Sequence, residues 1–236
     1  MNQNRFALCY FAVAILCIIL ERLHLVLPAL IAKALIIPLL MVFYHMTVRG
    51  KYDLFHRLIM AGLFFSWLGD VSLQFANGDI PLPFSPDVYF IGGLASFLLT
   101  QLIYFVSFSL LKGKNSIFST RIYQTLLVVL YAFIMLYYLY RSLGNMKVPV
   151  IIYTVIILLM LLSALNRYGK VNGLSYILVV IGALLLVISG SLVAITKFHM
   201  KINFAGIVIM ITYVSAQYLI ALGCIRQNIL TTKKID

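Results

Sequence analysis

Apolar residues run through this chain in long stretches, and the polar residues gather in the short gaps between them. The pattern predicts eight helices, at about 6–20, 25–44, 54–76, 89–111, 122–140, 148–165, 173–195 and 204–225. Helices 2 to 8 reach roughly 18–23 residues, enough to cross a hydrocarbon core of about 30 Å. The first is shorter and is expected to take in a few flanking residues. No small-residue cleavage site follows it; Glu21-Arg22 and a further apolar run come next, which predicts an uncleaved first helix. The stretch 77–87 holds Pro81, Pro83 and Pro86 and is expected to be a loop.

Composition agrees with the pattern. Of 236 residues, 64% are hydrophobic and 10% charged, which defines an all-α polytopic membrane protein with residues 1–236 as a single integral-membrane domain. The net charge of +12 would suggest nucleic acid in a soluble protein. Here the Lys and Arg residues sit mainly at helix ends, so no nucleic-acid partner is expected and the charge is read as topogenic. With eight spans, one side collects 12 of the 18 basic residues: Arg5, Arg49, Lys51, Arg57, Lys112, Lys114, Arg121, Arg167, Lys170, Arg226, Lys233 and Lys234. The other side collects five, Arg22, Arg141, Lys147, Lys197 and Lys201. This bias predicts that both termini are cytoplasmic. With no organelle signal in view, a bacterial cytoplasmic membrane is the expected location. Cys9, Cys17 and Cys224 are scattered through apolar runs without metal-ligand or disulfide spacing, so no metal site is expected.

Against this background two residues stand out. Asp70 is the one acidic residue well inside an apolar run, and Lys33 is the one basic residue so placed. Intramembrane charge is costly unless it is paired or faces a wet cavity. At ~1.5 Å per residue both lie roughly 9–12 Å below the outer surface. The preferred reading is a Lys33–Asp70 pair in a polar pocket; the alternative is that Lys33 snorkels to the interface. Gln101, Tyr153, Ser189 and Ser191 reach the outer half of their helices, and Tyr213 and Gln217 share one helix face at i and i+4. Singly, each reads as a helix–helix hydrogen bond. Together with Asp70 and Lys33 they predict a cavity open toward the outer side. Glu21 either lines its mouth or is a solvated helix end. Gly69-Asp70-Val71-Ser72-Leu73 also echoes Ser189-Gly190-Ser191-Leu192-Val193. A weak parallel four-plus-four repeat is one reading of the echo, and chance similarity the other.

The pieces in order are Lys33 with Pro38, Gly69-Asp70 with Leu73, and Gly92-Gly93 through Phe97 to Tyr104. They continue with Tyr153 and Met160, Gly182-Ala183-Leu184-Leu185 through Ser189 to Lys197-Phe198, and Tyr213 to Gln217-Tyr218-Leu219-Ile220. In that order and spacing the sequence resembles the YhhN family, which includes the transmembrane-protein-86 lysoplasmalogenases. The resemblance implies hydrolysis of the vinyl ether bond of a lysoplasmalogen, giving a fatty aldehyde and a glycerophospho-ethanolamine or -choline. It implies a lysophospholipid substrate, membrane lipid as surroundings and no cofactor. Asp70 becomes the catalytic candidate. Lys33, Gln101, Tyr104, Tyr153, Ser189, Ser191, Tyr213 and Gln217 become the substrate-binding candidates. Three positions depart from the family pattern: Ala34 stands where proline usually follows the lysine, Gln101 where histidine is common, and Gly190 where an aspartate follows the serine. The last keeps two alternatives open, a lipid-binding protein without catalysis and a small transporter.

Overall fold

The computed structural model describes residues 3–49, 52–76, 83–111 and 122–228. Eight of its helices are long and apolar enough to cross a membrane, and among the described residues there is no strand. They are α1 (Gln3–Arg22), α2 (Val26–Val48), α3 (Leu54–Phe75), α4 (Pro86–Ser109), α5 (Ile122–Leu139), α6 (Lys147–Leu165), α7 (Gly173–Phe198) and α8 (Ala205–Ile225). A single 3₁₀ turn, Gly144–Met146, leads into α6. The expected loop 77–87 is corrected at its end. Pro86 opens α4 as its first residue, where the missing N–H costs nothing and the fixed φ favours the helix. Residues 77–82 lie outside the described residues, as do Lys51, Lys112, Lys114, Arg121, Lys233 and Lys234 from the basic count.

α8 is the central helix. Its buried residues run on from Ala205 to Cys224, and it packs along α7 and against α1, α2 and α3. Gly182 on α7 permits the closest approach: a Cβ there would stand 2.8 Å from the Ala216 carbonyl oxygen and 2.7 Å from Ile220. Such small-residue contacts replace the hydrophobic drive that lipid does not supply between helices. α3 and α4 meet in the same way. The ring of Phe97 occupies the place a side chain at Gly69 would fill, 2.8 Å from the ideal Cβ.

α2 carries Pro38, which has no N–H to give the Ala34 carbonyl. The indole Nε1–H of Trp67 on α3 donates to that carbonyl instead, at 2.9 Å. The contact ties α2 to α3 beside Lys33 and one turn from Asp70.

At the opposite end of the bundle Arg167 is fully buried, although the basic count places it among the surface charges. Its Nη2 donates to Ser175 Oγ at 2.9 Å, and Ser175 donates to the Gly223 carbonyl at 2.6 Å. The guanidinium lies over Phe108, 5.1 Å from the ring centre, while Nε and Nη1 have no hydrogen-bond partner. α5 stands apart from this packing: Leu139 is its one buried residue.

Candidate functional site

α3 and α8 run antiparallel, and each carries a polar pair at i and i+4: Ser66 and Asp70 on α3, Tyr213 and Gln217 on α8. Antiparallel packing brings the outer members together and the inner members together. Tyr213 donates its hydroxyl hydrogen to Asp70 Oδ2 at 2.6 Å. That hydroxyl has one hydrogen to give, so Ser66 is the donor in the 2.7 Å contact between Ser66 Oγ and the Tyr213 oxygen. Gln217 Nε2 donates to Ser66 Oγ at 2.7 Å, and Tyr104 on α4 donates to Gln217 Oε1 at 2.9 Å. Every donor points toward Asp70. The five side chains are all buried, which makes this a low-dielectric polar chain with each member satisfied.

Asp70 is the outermost member and lines a cavity of about 660 Å³ at the end of the bundle that the basic count assigns to the outside. Oδ2 is taken by Tyr213, so Oδ1 is the oxygen left for whatever enters. Gln101, Tyr153, Ser189, Ser191 and Gly190 line the same cavity. Gln101 is 2% exposed and its Oε1 has no hydrogen-bond partner. Ser191 shares a 2.6 Å hydrogen bond with Tyr131 of α5, which fastens that outlying helix to the cavity wall. Leu94, Phe97, Leu136 and Ile157 supply the apolar lining. The edge of Phe97 meets the Tyr213 ring, their centres 5.8 Å apart. A pocket this size with an apolar wall and a few convergent polar groups suits one flexible amphiphile.

Most of the sequence-predicted residues are brought together: Lys33, Asp70, Gln101, Tyr153, Ser189, Ser191 and Tyr213 all line the cavity. Tyr104 and Gln217 do not. They stand behind the wall, hydrogen-bonded to each other, and reach the cavity only through Ser66 and Tyr213. The expected Lys33–Asp70 pair is also corrected. Lys33 Nζ bonds Glu21 Oε1 of α1 at 3.1 Å, while Asp70 is held by Tyr213. The short turn between α1 and α2 explains the choice. It places Glu21 at the cavity mouth, within reach of a side chain that extends outward along α2, and both residues line the cavity. Sequence reasoning missed Ser66 and Tyr131. Ser66 had a signal, since it lies four residues before Asp70 on the same helix face. Tyr131 had none, because a tyrosine-rich helix reads equally well as an interfacial belt.

Fold and site define a polytopic membrane protein with a buried carboxylate in an amphiphile-sized cavity. The YhhN family model matches residues 28–224, and the chain belongs to that family. No curated protein and no solved structure matches it.

Proposed function

We propose that the protein is a lysoplasmalogenase-like hydrolase that cleaves the vinyl ether bond of a single-chain ether phospholipid, R–CH=CH–O–R′. The observation that carries this reading is the geometry of Asp70: one oxygen fixed by Tyr213, the other left to an apolar-walled cavity. Asp70 acts as a carboxylic acid with its proton on Oδ1, and Oδ2 accepts the Tyr213 hydrogen bond. Protonation of the alkene carbon distal to the ether oxygen breaks the C=C π bond and leaves an oxocarbenium ion at the adjacent carbon. The Asp70 carboxylate then takes a proton from water as the water oxygen adds to that carbon, giving a hemiacetal. Collapse of the hemiacetal breaks its C–O bond to the glycerol and yields R–CH₂–CHO and HO–R′. The cation resembles that of glycoside hydrolysis, where carboxyl groups also serve as acid and base. The setting we infer is a bacterial cytoplasmic membrane with the cavity toward its outer side.

Aldehyde release from a lysoplasmalogen by purified protein in nanodiscs tests the reading, with Asp70→Asn alongside. Release that Asp70→Asn abolishes is the expected result. No release from the unmodified chain overturns it.

Gly190 favours a second reading, a family scaffold that binds lipid without cleaving it. The nearest neighbours of a Cβ at Gly190 would be Ile157 at 3.5 Å and Tyr153 at 3.6 Å, both ordinary contacts, so the backbone there accepts a side chain without a clash at Cβ. Under this reading the unmodified chain binds lysolipid without turnover, and Gly190→Asp releases aldehyde.

A further inference from the structure

The mouth of the cavity carries its own charged pair, and the hydrolytic chemistry makes no use of it. Glu21 and Lys33 meet there at 3.1 Å, and their side chains are 32% and 24% exposed. Both line the cavity that Asp70 lines. Glu21 precedes residue 28, where the family match begins, so Lys33 takes its partner from outside the matched region. Lys197 also lines the cavity and is held over the ring of Phe90, 4.5 Å from its centre.

From this arrangement we infer that the Glu21–Lys33 pair is a head-group reader that selects zwitterionic single-chain phospholipids over anionic ones by exchanging partners with the head group. The inference rests on the reading that the cavity takes a single-chain lipid. Charge at the edge of an apolar cavity is costly when it loses its partner. A head group with only a phosphodiester takes Lys33 and strands Glu21. A head group with a phosphodiester and an ammonium takes both: the phosphodiester goes to Lys33, the ammonium to Glu21, and no charge is left alone. Glu21, Lys33 and Asp70 line one cavity, so the pair and the carboxylate can meet the two parts of one lipid.

The test is binding, read by native mass spectrometry on the full-length protein. The ligands are the ester lipids lysophosphatidylethanolamine and lysophosphatidylglycerol with one common acyl chain. Neither has a vinyl ether, so the readout does not depend on cleavage. The unmodified protein is expected to favour the ethanolamine lipid about tenfold or more, as charge-assisted contacts do. Glu21→Gln is expected to bring the ratio near one, weakening the ethanolamine lipid and strengthening the glycerol lipid. The double exchange Glu21→Lys with Lys33→Glu keeps an ion pair and therefore the fold. It sets a carboxylate where the phosphodiester must sit, so it is expected to weaken both lipids with melting temperature unchanged.

A ratio insensitive to Glu21→Gln, or a double exchange that binds as the unmodified chain does, assigns the pair a structural role and overturns the inference alone. Failure of both lipids to bind the unmodified protein overturns both this inference and the lipid reading of the cavity. Glycerophosphoethanolamine, which has the head group without the chain, is expected to bind at least about a hundredfold more weakly, because the chain's burial is lost. Equal binding would make the ligand a soluble phosphodiester and overturn the lipid assignment.

Discussion

At the scale of single residues, two hydrogen bonds set the geometry around Asp70. Trp67 gives its indole N–H to the carbonyl that Pro38 leaves without a helical donor. Trp67→Phe keeps the ring and removes that N–H, so the carbonyl loses its donor within the bundle. A loss of about 1–3 kcal/mol is expected, read as a lower melting temperature in detergent. Pro38→Ala restores the helical N–H and should reduce that loss when combined with Trp67→Phe. Tyr213 has a different role, because its hydroxyl fixes one of the two Asp70 oxygens and leaves the other without that bond. If the hydrolytic reading holds, Tyr213→Phe leaves lysolipid binding within a few-fold and lowers kcat by about a hundredfold, the cost of one positioned donor. A fall in binding that matches the fall in rate would make Tyr213 a substrate contact instead.

At the scale of helices, much of the architecture was legible in the sequence, for a simple reason. Lipid demands long apolar runs with internally bonded backbone, so spans are written in composition. What composition does not write is which faces meet. Gln217 reads as one polar residue among several on α8, and its place behind the cavity follows only from the antiparallel register of α3 and α8 that joins it to Ser66. Lys33 was legible as an intramembrane charge, but its partner was not, because the choice between Asp70 and Glu21 depends on the short turn before α2. Arg167 counts as a helix-end charge in the sequence, because position in a loop says nothing about stacking over Phe108.

That burial has a consequence that can be measured. Two of the guanidinium nitrogens, Nε and Nη1, have no hydrogen-bond partner, and burial pulls the pKa of Arg167 below its ordinary value. Most of what Arg167 supplies is therefore its flat stem and ring contacts. Arg167→Met, which keeps volume without charge, is expected to unfold at a higher temperature than Arg167→Lys. The lysine keeps the desolvation cost and loses the stacking plane. The α7–α8 seam is less forgiving. Gly182→Val drives branched carbon into the Ala216 carbonyl and Ile220, and overpacking of this kind is expected to cost about 1–3 kcal/mol. Thermal unfolding of the purified variant checks it.

At the scale of the whole molecule, the question is which leaflet the cavity faces, because that decides which pool of single-chain lipid it samples. The basic-residue bias predicts that the mouth, with Glu21, Lys33 and Lys197, lies on the outer side. Ser142 belongs to the mouth end of the bundle, where it contacts His199. Gln227 follows α8 at the opposite end. Cys17 and Cys224 are buried and Cys9 is exposed, so a Cys9→Ser background leaves reporters unobscured. In right-side-out membrane vesicles, a cysteine placed at Ser142 is expected to react with an impermeant maleimide, and one placed at Gln227 only after permeabilisation. The reverse pattern would turn the cavity toward the cytoplasm. The chemistry at Asp70 would be unchanged, but the substrate would then be drawn from the inner leaflet, and the two basic residues around the mouth, Lys33 and Lys197, would face anionic lipid head groups. That setting would oppose the selection argued for Glu21, so labelling at these two positions bears on the head-group inference as directly as it does on topology.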